Sequence, residues 1–172
     1  MTFKTTLEKF ESNVWGFHLP VAEQYAEPFV EGDDKRVKCV INEELTLHCA
    51  LMPRNNEYFI LMNKKNIDKL GLAIGQTVDV QLEKDTSEYG MPMPDSFRML
   101  LDQDEEGNDY FHKLTPGKQR TLIYIVGKVK NIDSQLNKGL AILYHLTSRQ
   151  GKLDFKILNE TIKEYNQRSK LK

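Results

Sequence analysis

Residues 63–85 read NKKNIDKLGLAIGQTVDVQLEKD, and this stretch sets the architecture of the first half of the chain. Asn63 offers a side-chain oxygen ahead of a short helix that runs to Leu70, and Gly71 suits the left-handed position that ends it. Gly75 then allows a tight turn into a strand. In that strand Val78, Val80 and Leu82 alternate with Asp79, Gln81 and Glu83, so one face packs while the other meets water.

From Thr6 to about Asp85 the apolar residues come in short runs separated by turn residues, the pattern of several short strands. Val37, Cys39 and Ile41 alternate in the same way. The turn Asn42-Glu43-Glu44 leads from them into LTLHCALM, residues 45–52, and predicts a hairpin. With a three-residue loop, Cys39 and Cys49 share the apolar face with Leu45, Leu47 and Leu51. The chain also repeats itself at a spacing of about 40 residues. Thr6-Leu7 maps near Thr46-Leu47; Trp15, Phe17 and Leu19 map near Tyr58, Ile60 and Met62. Gly32 before Val37, Cys39 and Ile41 maps near Gly75 before Val78, Val80 and Leu82. Each half is expected to be strand, strand, short helix, strand. The expected class is α+β, with a small pseudo-two-fold, double-split β-barrel followed by a helical C-terminal region. Leu70-Gly71-Leu72 and Gly75 resemble the AbrB/MazE type of swapped-hairpin barrel. The resemblance implies a barrel that two chains usually complete; here the repeated halves are expected to complete it within one chain, as a monomer.

Tyr89-Gly90-Met91-Pro92-Met93-Pro94 continues neither a strand nor a helix, because its prolines lack amide donors and push the preceding residues to extended geometry. The expected boundaries are therefore a barrel over 1–88, a linker over 89–94 and helices over 95–172. Asp95 heads a short helix with Phe97, Leu100 and Leu101, and a second carries Tyr110, Phe111 and Leu114. Thr115-Pro116 opens a longer one, whose Leu122, Ile123, Ile125, Val126 and Val129 lie on one arc. Asp133 is expected to cap the next, with Leu136, Leu140, Leu143 and His145-Leu146, until Gly151 breaks it. The last shows Phe155, Leu158, Ile162 and Tyr165 at helical spacing. Leu114, Pro116, Gln119 and Arg120, followed by a basic helix end and a second helix ending Leu143 to Leu146, are similar to the helical tail of the YdeI/OmpD-associated family. With the barrel, the resemblance is to an uncharacterised bacterial family, and it covers about residues 5–147. It implies no biochemical activity. Ile125 and Val126 stand where relatives often carry a Trp, and Ile132-Asp133-Ser134 replaces their more basic connection.

At 172 residues, 40% of them hydrophobic and 28% charged, the composition is that of an ordinary globular protein. No apolar run reaches the roughly 18 residues of a membrane span, and MTFKTTLEKF lacks the apolar block of a signal peptide. The two cysteines form no disulfide framework, so a cytoplasmic location is expected. No phosphate loop appears among the glycines. Of the four histidines only His48 adjoins a second ligand type, Cys49, and adjacent strand residues point to opposite faces, so a metal site is not expected. The acids Asp102, Asp104, Glu105, Glu106 and Asp109 coincide with a helix start, where they favour the dipole. Gly107 falls within this polar stretch and is expected to tolerate substitution better than Gly71.

Acids outnumber bases up to about Gly90 and bases outnumber acids afterwards, within a net charge of −1. Lys118, Arg120, Lys128 and Lys130, with Lys138, form the candidate set for nucleic-acid or partner binding. On the helical wheel they spread around the polar side, and no aromatics interleave with them for stacking. Lys35, Arg36, Lys38 and Arg54 are the AbrB-like alternative, set against the acidic balance of the front half. The expected function is a non-enzymatic binding or interaction module, a stress-related or regulatory accessory, with an unidentified protein or small-molecule partner and no cofactor. An AbrB-like DNA-binding regulator is the alternative, and an enzyme with a site between barrel and helices comes third.

Overall fold

The computed structural model describes residues 1–11 and 16–170; Trp15, one landmark of the expected repeat, lies outside them. The chain divides into two compact units, Met1–Gly90 and Met91–Lys172. No helix of the described residues is long and apolar enough to cross a membrane.

The first unit holds β1 (Thr2–Thr6), β2 (Glu8–Lys9), β3 (Phe17–Val21), α1 (Glu23–Ala26), β4 (Arg36–Ile41), β5 (Leu45–Ala50), β6 (Met52–Arg54), β7 (Glu57–Met62), α2 (Lys64–Leu70) and β8 (Thr77–Lys84). They form two four-stranded antiparallel sheets, ordered β1-β8-β4-β5 and β2-β3-β7-β6. Exchanging β1 with β5, β2 with β6, β3 with β7 and β4 with β8 leaves both orders unchanged. The two halves therefore repeat one course of three strands, helix, strand, in which the expected first strand is broken in two. Leu7 and Leu51 mark the bends at which the chain leaves the first sheet for the second, and both are fully buried. Their amides donate to Gln76 and Lys35, the residues that precede β8 and β4 (2.9 Å each). The structural counterpart of Thr6-Leu7 is thus Ala50-Leu51, not Thr46-Leu47, because it is the strand break that repeats. Both sheets are open: the pairings of the described residues do not join them into the single closed barrel expected, since the ladders are interrupted at these bends.

Alternation decides the core. Val37, Cys39 and Ile41 on β4 and Val78, Val80 and Leu82 on β8 are all buried, as are Leu19, Val21, Ile60 and Met62 of the other sheet. Leu19 and Ile60, directly opposite one another, are completely enclosed. The hairpin has its three-residue loop, with Ile41 opposite Leu45, Cys39 opposite Leu47 and Val37 opposite Cys49, so both cysteines face the core. At α2 the Asn63 side chain accepts from the Asn66 amide (2.8 Å), and Gly71 sits at φ 62° as the cap. Every residue of this core lies between Phe3 and Leu82. Residues 1–90 are accordingly expected to fold alone as a monomer. Light scattering from that fragment that gave an obligate dimer would overturn this.

The second unit holds α3 (Asp95–Gln103), α4 (Glu105–His112), α5 (Pro116–Gly127), α6 (Ile132–Ser148) and α7 (Phe155–Lys170). The central helix is α6, which packs against each of the other four. Asp104 caps α4 by accepting from the Gly107 amide (2.8 Å), and Glu105 and Glu106 occupy its first turn. The cap of α6 is Asn131, which accepts from Ser134 (2.9 Å), rather than Asp133, which falls inside the first turn. The Gly151 amide reaches back to the Leu146 carbonyl (2.7 Å), closing α6 in a Schellman-type end. Leu140 and Phe155, expected on packed faces, are exposed.

Gly107 is buried where α4 meets α6, and a Cβ there would stand 2.8 Å from both Leu143 Cδ2 and Asp104 Oδ2. The space around Gly71 is open, so only its left-handed backbone resists a side chain. The expected ranking is therefore reversed. Gly71→Val should cost about 1–2 kcal/mol through the backbone, and Gly107→Val at least as much, on the order of 1–3 kcal/mol or more through overpacking and the disturbed cap. Urea midpoints of the two variants check this; a Gly107→Val midpoint equal to wild type would contradict the packing.

Candidate functional site

The second sheet turns Leu19, Val21, Ile60 and Met62 inward, so period-two alternation places His18 and Phe59 on its other face. His18 pairs with Glu8 across β2 and β3, and Phe59 with Met52 across β6 and β7. Phe10 follows β2 and folds onto the same face. Its ring stacks on the His18 imidazole (centroids 3.7 Å apart, planes 8° apart), and Phe59 meets both rings edge-on at 5.1 and 5.7 Å. The Arg54 guanidinium lies 4.5 Å from the Phe10 centroid. A cavity of about 660 Å³ opens here, lined by Glu8, Phe10, His18, Arg54 and Phe59 among others. That falls within the usual size of a small-molecule site, roughly 300–1,000 Å³.

His18 is the polar centre of this aromatic cluster and only 6% exposed. Its Nε2 lies 3.4 Å from Glu8 Oε2, while Nδ1 is buried without a hydrogen-bond partner among the described residues. Burial holds its pKa below the ordinary histidine value; Glu8 opposes that shift and Arg54 adds to it. A native buried polar atom left unpaired is uncommon.

A second polar cluster lies on the outer face of the first sheet. His48 Nδ1 is 2.9 Å from Asp85 Oδ2, and the Ser87 hydroxyl donates to Asp85 Oδ1 (2.6 Å). Burial opposes ionisation of Asp85, yet its bonds from Ser87 and His48 prevail and hold its carboxyl below the usual carboxylate range. His48 and Cys49 point to opposite faces as alternation requires. No group of three metal-ligating side chains is assembled among the described residues.

Of the basic residues singled out from the sequence, Lys128 and Lys138 are neighbours. Lys118 and Arg120 stand two positions apart on α5 and so face different ways; Lys128 caps the end of that helix, and Lys130 lies beyond it. Lys138, on α6, has its pKa lowered, first by burial and then by the neighbouring Lys128 charge. In the other set, the Arg36 Nη2 donates to the Gly90 carbonyl (2.6 Å), Lys38 pairs with Glu83 (3.4 Å) and Arg54 covers Phe10. Sequence reading missed Glu8, Phe10, His18 and Phe59. The available signal was aromatic residues at the outward positions of amphipathic strands, where water-facing side chains are the rule.

No curated protein and no solved structure matches the chain. A family match lies within the strand-rich unit, and it carries the name of neither family that residues 63–85 and 114–146 resemble. Residues 3–82 match the family model of DUF1905, a domain of unknown function.

Proposed function

We propose that the protein is a non-enzymatic binding module, a regulatory or stress-related accessory, and that it holds a small-molecule partner in the concavity of the second sheet. The observation that carries this reading is the cavity of about 660 Å³ whose walls include the Phe10 and Phe59 rings beside Glu8, His18 and Arg54. Such a combination of apolar walls and a few placed polar groups is what small-molecule sites are made of. In the same reading the strand unit is an AbrB/MazE-like, pseudo-two-fold pair of sheets within one chain, supported by the exchange symmetry of its strand orders, and the helices are a YdeI/OmpD-type tail in a cytoplasmic monomer. The AbrB-like regulator has less support, because Arg36, Lys38 and Arg54 are engaged within the unit and are divided between two sheets.

The reading is tested by amide correlation spectra of the whole chain with a library of small polar aromatics. Shifts confined to residues 8–11, 18, 53, 54 and 59 are expected. Shifts that cluster instead on 116–130, or specific nanomolar binding of a DNA duplex in about 0.15 M salt, would overturn it.

A further inference from the structure

Both cations of the cavity lie over aromatic rings: the Arg54 guanidinium is 4.5 Å from the Phe10 centroid, and Lys9 Nζ is 5.8 Å from that of Phe17. Among the described residues neither forms an ion pair with a carboxylate. Glu57 stands directly opposite Arg54 in the β6–β7 register and would be the ready partner, yet the guanidinium covers Phe10 instead. A guanidinium that stacks uses its faces and keeps its N–H donors, which point outward in its plane. The hairpin holds their origin in place. Asn55 and Asn56, at φ 48° and 64°, make a tight turn, so Arg54 is the last residue of a strand pinned to β7. Arg54 itself is exposed, and its donors face the solvent side of the cavity wall.

Resting on the binding-module reading, we infer that the cavity takes a small aromatic monocarboxylate, of benzoate type, with its carboxylate in the Arg54 fork and its ring against Phe59 and Pro53. A planar carboxylate is the group that two parallel guanidinium N–H donors fit. Phe59 and Pro53 line the same cavity as Arg54 and supply apolar surface beside the fork. A cationic ligand would need an aromatic face, and those of Phe10 are taken, one by the stacked His18 ring and the other by Arg54. Glu8 and Glu11 also line the cavity, so a group carrying two negative charges, such as a phosphate, would meet like charge, whereas a single carboxylate needs only the fork.

The probes are benzoate, benzamide and benzylamine, of one shape and different charge, titrated into the full chain and followed by amide shifts of residues 8–11, 18, 54 and 59. Benzoate is expected to bind at least about tenfold more tightly than benzamide, the usual effect of hydrogen bonds to a charged group. Arg54→Gln should lose that factor and leave benzamide unchanged, and Arg54→Lys, which keeps the charge without the fork, should recover only part of it. Should Arg54→Gln fail to fold, the order of the three probes on the wild type gives the same reading. Benzamide or benzylamine bound as tightly as benzoate, equal benzoate affinity in wild type and Arg54→Gln, or full recovery by Arg54→Lys would overturn the inferred ligand class while leaving the concavity as a binding site. Absence of shifts at these residues with all three probes at millimolar concentration would remove both.

Discussion

Replacing Phe97 by alanine is expected to cost about 3–5 kcal/mol and to unfold the helical unit at moderate denaturant. Phe97 and Phe111 are both completely buried and meet edge to face, with centroids 5.6 Å apart. Truncating one removes a ring from water-free packing and leaves the other facing a cavity. The neighbours have little room to close it: Phe97 Cδ2 lies 3.3 Å from where a Cβ on Gly139 would stand, so α3 and α6 already touch backbone to ring. A loss of this size is a large part of the roughly 5–15 kcal/mol that holds a domain folded. Urea denaturation followed by helical circular dichroism measures it. A cost under about 1 kcal/mol would mean that the two rings do not form the centre of this unit.

The fold was legible where local chemistry and periodicity agreed. At 63–85 the cap, the left-handed glycine and the alternating strand each need only neighbours in sequence, and all three are present in the structure. The β4–β5 hairpin was legible for the same reason, since a three-residue loop fixes its register. The equivalence of Leu7 with Leu51 was not. It depends on where a strand bends from one sheet to another, and that is set by contacts with residues some seventy and sixteen positions away, Gln76 and Lys35. Helix ends show the same limit. Asn131 and Asp133 are both capping residues by type, and only the geometry of the preceding turn selects Asn131. Gly107 was misread because a polar sequence around a glycine says nothing of what packs on the glycine itself.

The candidate site was scarcely legible, and the reason is physical. Charge is visible in a sequence, so attention falls on lysines such as Lys118 and Lys130, whereas the outer face of a sheet is not visible in it. The cavity of the second sheet assembles Glu8, His18, Arg54 and Phe59 from four strands, with Phe10 from the end of one of them. No pair among them is spaced like a motif. What makes the site is the outer-face register of β2, β3, β7 and β6, in which Glu8 is opposite His18 and Met52 opposite Phe59. That register is fixed by the inner face, where Leu19 and Ile60 must be buried, because a one-residue slip would send them to solvent. The core thus positions the site without contributing a residue to it.

The second large effect is expected at His145, which the sequence presents as one more residue of an apolar helix. It is 1% exposed, and its Nε2 accepts from the Asp154 amide (3.1 Å), joining α6 to the start of α7. Asp154 in turn caps α7 by accepting from Lys156 (2.9 Å) and Ile157 (3.2 Å). His145→Ala would open a cavity and leave the Asp154 N–H without its acceptor, at a combined cost of about 3–5 kcal/mol. The bond also requires a neutral ring. Burial, aided by Arg149 and opposed by Asp154, holds the His145 pKa below its ordinary 6.5. Below pH 6.5 the unfolded chain therefore takes up a proton that the folded one resists, so this part of the stability is complete above about 6.5 and is lost as pH falls through the folded value. His18 titrates in the same direction within the other unit, so the readout must come from the helices. Amide exchange in α6 and α7 is expected to quicken between pH 7 and 5 beyond its intrinsic pH dependence in the wild type. In His145→Ala the corresponding slope should be flatter, from a lower starting protection. Equal slopes in the two proteins would show that the imidazole does not serve as the acceptor that anchors α7.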